Sequence, residues 1–354
     1  MVSAVTIRDM PRILREHGLR PVPVDLDMSN LAVSTGELER AVTPATKGIL
    51  VAHLFGARMA MEPILAFAKS RGLFVFEDCA QVFGCGKGRI ARPSTAVDGT
   101  PMTNPDGREC PSYSGHPDSD VGLFSFGLIK TATALGGAVL IFRDGVLRDR
   151  AAGLMATWRR HSRFEFLRRV VRAAALKSLS SQWAFSLLAN CCRWLGTSHD
   201  AVLSRSVRGF ADGDFFRRIR RQPSLPLLAL MIRRLKQSHA NRVARRIGLA
   251  ERILVELPGI TRPGENAGYH SYWVLPVHHD RPDELIRSLW QSGFDATRGA
   301  SSMTVIEPDD PGLPVPHQAR DSLRRLLYLP FDESMSDADV QRLAAAIRNF
   351  ESIV

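Results

Sequence analysis

The sequence predicts an α/β fold: a three-layer, doubly wound, mostly parallel sheet, followed by a helical insertion and a smaller C-terminal α/β domain. Short apolar runs alternate with amphipathic segments over residues 1–142. One of these runs, at residues 74–78, ends in two carboxylates. The last hundred residues alternate in the same way on a smaller scale. Alternation of strand and helix is typical of a parallel sheet covered by helices on both faces.

Single residues mark several element boundaries. Ser34 and Glu37 have the spacing of a capping box at the start of a helix, and Gly72 follows the end of another. Two prolines at residues 21–25 favour an edge position for that strand. The predicted elements of the first domain are, in chain order, a strand at 2–7, a helix at 8–17, a strand at 21–25, a helix at 34–41, a strand at 48–53, a helix at 61–70 and a strand at 74–78.

We divide the chain of 354 residues into three parts, because it exceeds the usual size of one domain. Residues 1–145 form a large domain, interrupted at about 87–111 by a segment rich in Gly, Pro, Ser and Thr. Residues 146–240 form a basic helical connecting region. Residues 241–354 form the small C-terminal domain, with strands at 272–277 and 326–330 and helices at 282–293 and 336–350.

The net charge of +11 comes from arginines concentrated between residues 148 and 252. A basic face can meet phosphate groups, nucleic acid or anionic lipid. Solvated arginine-rich helices are the simpler explanation, and no nucleic-acid-binding motif accompanies the charge, so we expect no specific nucleic-acid partner. The helix at 159–179 is amphipathic; packing against its own domain or a partner subunit is favoured over a membrane-surface role.

The sequence also indicates the cellular compartment of the protein. No run reaches the roughly 18 apolar residues of a membrane span, and no signal peptide precedes the first strand. Five cysteines without a C-x-x-C pair predict reduced thiols and no metal site. We therefore expect a cytoplasmic location.

Asp78 and Lys130 are the residues to which we assign chemistry. Asp78 ends a predicted parallel strand, where ligands bind in open α/β sheets. A desolvated lysine can form a Schiff base with an aldehyde, and pyridoxal phosphate requires such a lysine and a carboxylate against its pyridine nitrogen. Each residue alone has an ordinary explanation, because a strand-end Asp is usually a cap and a Lys is usually solvated.

Four further residues are candidates around this pair. Ser125, five residues before Lys130, could donate to a phosphate group. Gln81 could reach the phenolic oxygen or the ring face of the cofactor, and His53 could contact the ring or support Asp78. Arg298 could hold a substrate carboxylate through two parallel hydrogen bonds, although a surface arginine is the simpler interpretation in this chain.

The ordered motifs resemble a known family. His53-Leu-Phe-Gly56, Glu77-Asp-Cys-Ala-Gln81, Asp120-Val-Gly-Leu-Phe-Ser-Phe126, Lys130 and Gly136-Gly-Ala138 are similar to the signature series of the DegT/DnrJ/EryC1/StrS aminotransferases. The resemblance covers most of residues 3–142 and 241–350. It implies a fold type I, pyridoxal-phosphate-dependent enzyme, many relatives of which aminate nucleotide-linked keto sugars.

By this resemblance Lys130 is the Schiff-base lysine and proton shuttle, and Asp78 pairs with the pyridine nitrogen. Gln81 contacts the ring substituents and Ser125 the phosphate. The amino donor is expected to be glutamate or glutamine, and the assembly a homodimer with active sites at the interface.

The chain also departs from the family pattern. The family begins some 70 or more residues earlier, with a Ser-Gly-Thr turn that holds the phosphate, so we expect an N-terminally truncated chain. The segment at 87–111 is a second departure. The alternative function is a catalytically impaired or inactive relative that acts as a binding or scaffold subunit because it lacks the phosphate-binding segment.

Overall fold

The computed structural model describes residues 1–83, 115–178, 194, 215–237, 239–298 and 303–352. The predicted segment at 87–111 lies outside these residues. The strands are β1 Val2–Ser3, β2 Val5–Thr6, β3 Pro23–Val24, β4 Gly48–Ala52, β5 Phe74–Asp78, β6 Val121–Ser125, β7 Ala138–Phe142, β8 Leu275–His278, β9 Thr304–Val305 and β10 Leu326–Leu329.

The described residues contain eleven helices. They are α1 Asp9–Glu16, α2 Thr35–Ala41, α3 Glu62–Ser70, α4 Gly145–Ala156, α5 Arg163–Ser178, α6 Phe215–Ile219, α7 Leu225–Lys236, α8 Ala240–Val255, α9 Pro282–Gln291, α10 His317–Arg325 and α11 Asp337–Ser352. Each is either too short or too polar to cross a bilayer, as far as the described residues extend.

The main sheet has six strands in the order β3-β1-β4-β5-β6-β7. All neighbouring strands are parallel except β6 and β7, which are antiparallel. The chain therefore leaves the sheet by helical crossovers and returns, and the doubly wound, mostly parallel fold is confirmed. The predicted strand at 21–25, of which Pro23–Val24 forms β3, lies at an edge, where a missing backbone N–H group breaks no ladder.

Both faces of the sheet are covered, as a parallel sheet requires. Ile49, Val51 and Val75 face a core that includes Leu38 of α2 and Ile64 of α3. The alternate residues of the same strands, Leu50 and Phe76, pack on the opposite face with Met10 and Leu14 of α1. The period-two alternation of side chains along a strand gives this separation.

The C-terminal part has its own core between β8, β10 and the helices α8, α9 and α11. Leu275, Leu285, Leu327 and Leu343 are fully buried in it. The strand predicted at 272–277 begins only at Leu275, because residues 269–274 bond to the loop after β4 instead of to β10.

The predicted first strand at 2–7 is divided between two sheets. Val2 and Ser3 pair with β3 in the main sheet, whereas Val5 and Thr6 pair antiparallel with β9. Ala4 joins the two, since its N–H donates to the Val24 carbonyl and its carbonyl accepts from Ile306, both at 2.8 Å. The domain boundaries at 145 and 240 stay a prediction, and this pairing crosses them.

Candidate active site

Three neighbouring parallel strands deliver polar residues to one edge of the main sheet. His53 directly follows β4, Asp78 ends β5 and Ser125 ends β6. The register aligns Ala52 with Asp78 and Asp78 with Leu123, and the His53 N–H donates to the Asp78 carbonyl at 3.1 Å. The carboxyl ends of parallel strands meet at one edge, so three of the predicted residues are brought together there.

Asp78 is a buried carboxylate, 8% exposed. Its Oδ1 accepts the N–H of Ala80 at 2.9 Å. Burial raises the pKa of Asp78, while the Ala80 N–H and the charge of Lys130 act in the opposite direction. An aspartate that remains ionised here has to be matched by a positive charge or a strong donor.

Lys130 lies in a turn after β6, where its N–H donates to the Gly127 carbonyl at 3.1 Å. Burial lowers the pKa of Lys130 to about 8, opposed by the carboxylate of Asp78. Its Nζ lies 4.3 Å from the ring centroid of Trp273. An amine with this pKa is available near neutral pH as a nucleophile and as a proton carrier.

Ser125 is close to the lysine. Its Oγ lies 3.5 Å from the Gly127 N–H, which is a long hydrogen bond. A methyl group placed on Gly127 would lie 3.7 Å from Ser125 Oγ and 3.8 Å from Lys130 Cγ. The serine hydroxyl and the lysine stem therefore flank the same face of this glycine.

Gln81 is engaged at both ends of its amide. Oε1 accepts the N–H of Phe55 at 2.6 Å, and Nε2 lies 3.5 Å from the sulfur of Met303. Phe55 has a positive φ of 58°, a strained conformation for a bulky residue. The carbonyl end of Gln81 thus fixes the loop after β4, and only the amide nitrogen, with its weak sulfur partner, remains for a cofactor.

His53 is fully buried, with a hydrogen bond at each ring nitrogen. Nδ1 accepts the N–H of Met59 at 3.0 Å. This bond requires a lone pair on Nδ1, so Nε2 carries the proton and donates to Glu77 Oε1 at 2.8 Å. Both ring nitrogens of His53 are thus occupied by hydrogen bonds. The ring supports the site through the Met59 backbone and through Glu77.

Glu77 completes this network and escaped the sequence prediction. It is 0% exposed, and its Oε2 accepts the N–H of His116 and the hydroxyl of Ser119, both at 2.8 Å. A buried carboxylate is tolerated when several donors satisfy it. The sequence prediction assigns the chemistry to the adjacent carboxylate of Asp78 and gives Glu77 no role.

His53, Glu77 and Cys79 have possible ligand atoms within 4.8 Å of one another. His53 and Glu77 are already hydrogen-bonded to each other. The pKa of the Cys79 thiol is raised well above its usual range, chiefly by burial. The thiol therefore stays protonated and is a poor metal ligand. We interpret the cluster as a hydrogen-bonded support of the β4 and β5 strand ends.

Arg298 lies apart from this group. Its Nε is 3.7 Å from Asp283 Oδ1 of α9, and its Nη1 is buried without a hydrogen-bond partner among the described residues. Within that part of the chain, no hydrogen bond or ion pair joins Arg298 to Asp78 or Lys130. Its predicted role in substrate binding stays a prediction.

Two further side chains reach the lysine turn from the C-terminal part. Trp273 Nε1 donates to the Ile129 carbonyl at 3.1 Å. Arg246, 9% exposed, donates to Thr131 Oγ1 at 3.3 and 3.4 Å and to the Ser271 carbonyl at 3.2 Å. No spacing in the sequence indicates the contacts with Ile129 and Thr131, because they join segments more than a hundred residues apart.

Known proteins resemble both the sequence and the fold. Residues 10–170 match the sequence model of the DegT/DnrJ/EryC1/StrS aminotransferase family. The chain is 32% identical over 151 residues to GDP-perosamine synthase of Escherichia coli O157:H7, covering 42% of this chain and 35% of that protein. It is 23% identical over 332 residues to dTDP-4-dehydro-2,3,6-trideoxy-D-glucose 4-aminotransferase of Saccharopolyspora spinosa, covering 92% and 71%. The first of these matches thus spans about a third of the relative's length.

A solved structure shows the same fold. The aminotransferase TlmJ from Streptoalloteichus hindustanus aligns with a TM-score of 0.61 and 21% identity, covering 100% of this chain and 79% of that one. The fold is thus that of a sugar-aminotransferase-like α/β protein. Residues 10–170 are thus similar to the DegT/DnrJ/EryC1/StrS aminotransferase family, as the sequence motifs predict.

Pyridoxal phosphate is the cofactor of this family, and the donor set at the strand ends fits it. A carboxylate whose burial calls for a positive partner suits a protonated pyridine nitrogen. A lysine with a pKa of about 8 suits an aldehyde. Among the described residues, the Ser125 hydroxyl accepts one long hydrogen bond, at 3.5 Å, and it can donate to a phosphate oxygen.

Proposed function

We propose that this chain is a pyridoxal-phosphate-dependent aminotransferase that transfers an amino group from glutamate or glutamine to a nucleotide-linked keto sugar. The observation that carries the proposal is the pair formed by Asp78 and Lys130. The two groups influence each other's charge at the carboxyl ends of β5 and β6. When bound, pyridoxal phosphate supplies an electron sink for the carbanion formed at the amino carbon.

In this proposal each side chain of the site has a separate role. Asp78 holds a proton on the ring nitrogen by pairing with it, and its burial strengthens that attraction. Lys130 would hold the cofactor through Nζ and, when its amine is free, would take up or return a proton there, for which a pKa of about 8 is suitable at neutral pH. Ser125 would donate to the phosphate, and Gln81 would contact the ring substituents through Nε2.

The substrate class rests on the relatives. GDP-perosamine synthase and the dTDP-sugar 4-aminotransferase are named for nucleotide-linked sugars, and DesI was solved in the presence of its TDP-sugar product. We carry this class over to the present chain, together with a homodimeric assembly and the cytoplasmic location expected from the sequence. Light scattering on the purified protein tests the dimer, and a monomer contradicts it.

The cofactor is tested by titrating the purified protein with pyridoxal phosphate and following absorbance in the visible range. We expect a saturable band, which Lys130→Ala abolishes because the bond to Nζ is lost. Asp78→Asn should retain a band with a shifted maximum and about tenfold weaker binding, since a charged contact worth about 1.5–3 kcal/mol is replaced by a neutral contact worth about 0.5–1.5 kcal/mol.

Lys69→Ala is the matched control, because Lys69 is an exposed lysine on α3. Glutamate or glutamine added to the loaded protein should bleach the band, and a nucleotide-linked keto sugar should restore it. A wild-type protein that is folded but never develops the band refutes the proposal for this chain and favours the binding or scaffold alternative.

A further inference from the structure

The indole of Trp273 contacts the Lys130 turn at two points. Its Nε1 donates to the carbonyl of Ile129, the residue before the lysine, at 3.1 Å. Its ring face lies under the ammonium, with Nζ 4.3 Å from the ring centroid. The first contact fixes the ring beside the turn, and the second places the ammonium at the distance of a cation–π interaction.

The position of Trp273 is set by the loop after β4. A methyl group on Gly56 would lie only 2.5 Å from Trp273 N and 3.0 Å from Tyr272 N, so the two backbones are in direct contact. The Ser271 N–H donates to the Gly56 carbonyl at 2.8 Å. The indole is therefore held at its backbone and at its N–H, and it has little freedom to turn away from Lys130.

The charged groups around Lys130 come from several elements. Asp78 at the end of β5 favours the ammonium form. Two guanidinium groups of α8 bond to the next residue, Thr131: Arg246 to its Oγ1, and Arg242 Nη1 to its carbonyl at 3.3 Å. Burial opposes protonation of the amine, whereas Asp78 and the electron-rich indole face support it.

We propose that Trp273 is a positioning residue that holds the amino group of Lys130 as an ammonium whenever this group is not bonded to a cofactor. The indole keeps the released amine on one side of the site, so that the Asp78 carboxylate remains available to a pyridine nitrogen. The meaning for catalysis rests on the proposed function, but the contact and its effect on Lys130 do not.

The test measures the protonation of Lys130 in the protein without cofactor. The sequence contains six lysines, at positions 47, 69, 87, 130, 177 and 236. Reductive methylation with ¹³C-formaldehyde therefore gives few NMR signals, and Lys130→Arg identifies the one of interest. We expect Trp273→Leu to lower the midpoint of the Lys130 titration by about half a unit to one unit, since a partly desolvated cation–π contact is lost.

Trp273→Phe keeps a ring face without the N–H anchor, so its midpoint should lie between those of the wild type and Trp273→Leu. Trp290→Leu is the matched control, because the Trp290 indole of α9 donates to the Ala296 carbonyl and lies away from the lysine turn. Circular dichroism checks the fold of each variant. An unchanged or raised midpoint in folded Trp273→Leu and Trp273→Phe overturns the inference.

The two proposals fail separately. If the wild type gives no visible band with pyridoxal phosphate but the Lys130 midpoint falls in Trp273→Leu, the proposed function fails and the contact stands. If the band forms and the midpoint does not move, the function stands and the role of Trp273 is wrong.

Discussion

At the scale of single residues, the site places a potential cation where water cannot solvate it well. The pKa of Lys130 falls from 10.5 to about 8 chiefly because the amine is buried. Sites that perform proton chemistry commonly carry such a cost in stability. In the chain without cofactor this cost should be measurable as a dependence of stability on pH.

We predict that Lys130→Met stabilises the cofactor-free protein at pH 7. Between pH 8 and 10.5 the unfolded chain binds a proton at Lys130 that the folded chain has lost, so the wild-type free energy of unfolding rises with pH in this window. Below pH 8 the full cost is present, about 2 kcal/mol after allowance for partial exposure.

Urea unfolding followed by circular dichroism at several pH values measures both proteins. The stability difference between Lys130→Met and wild type should be greatest at and below pH 8 and should shrink towards pH 10.5. Apart from Asp78, whose pKa the charge of Lys130 lowers, the other groups should titrate alike in the two proteins. A difference that stays constant between pH 8 and 10.5 would therefore falsify the assigned pKa.

At the scale of elements, hydrogen-bonded side chains support the carboxyl ends of β4 and β5. Gln81 accepts a hydrogen bond from Phe55 in the loop after β4. Glu77 accepts hydrogen bonds from His53, which follows β4, and from His116 and Ser119, which precede β6. Glu77 is the central member, because three donors converge on a carboxylate with no exposure to water. The geometry around Asp78 therefore depends on Glu77.

We predict that Glu77→Gln destabilises the protein by about 1–3 kcal/mol, because one amide N–H must then face a donor instead of an acceptor. Glu77→Ala should cost about 3–5 kcal/mol, since it leaves three buried donors without an acceptor. Urea unfolding measures both changes. Glu39→Gln is the control, because Glu39 forms an exposed ion pair with Arg71 that should contribute at most about 1 kcal/mol. Equal effects of Glu77→Gln and Glu39→Gln would show that the network is not stabilising.

At the scale of the whole molecule, the C-terminal part is fastened to the main sheet by a helix cap from a distant residue. α10 begins after Pro316, which has no side-chain acceptor for the first N–H groups. Asp25, 6% exposed, takes this role: its Oδ2 accepts from Gln318 N at 2.9 Å and its Oδ1 from Ala319 N at 3.0 Å. Ala319 then packs in the core of the main sheet.

Asp25→Ala should therefore lower the stability by about 2 kcal/mol, at the upper end for a helix cap because the freed N–H groups are buried. Hydrogen exchange should accelerate at α10 and also at β2 and β9, which depend on the same attachment. Asp144→Ala is the matched control: Asp144 caps α4 at Val146 and Leu147 within its own segment. Faster exchange confined to α10 after Asp25→Ala would contradict the coupling.

The local features of this chain could be predicted from its sequence. The alternation of apolar residues at 48–52 and 74–78 predicts buried strands because successive side chains point to opposite faces of any sheet. Chain order and the handedness of crossovers then bring Asp78, Ser125 and the turn with Lys130 to the same edge. The first strand was predicted too long, since a period of two cannot show that Val5 and Thr6 pair with β9.

Only the tertiary structure decided which side chains surround Asp78 and Lys130. The sequence assigns no role to Trp273, to Arg246 or to Glu77 within its motif, and the same is true of Asp25 as a cap for a helix almost three hundred residues away. A hydrogen bond or a cation–π contact depends on distances of a few ångströms between segments, and those distances follow from the path of the whole chain. The sequence by itself thus predicted the strands, the family resemblance and the pairing of Asp78 with Lys130, whereas only the folded chain determined which side chains contact that lysine.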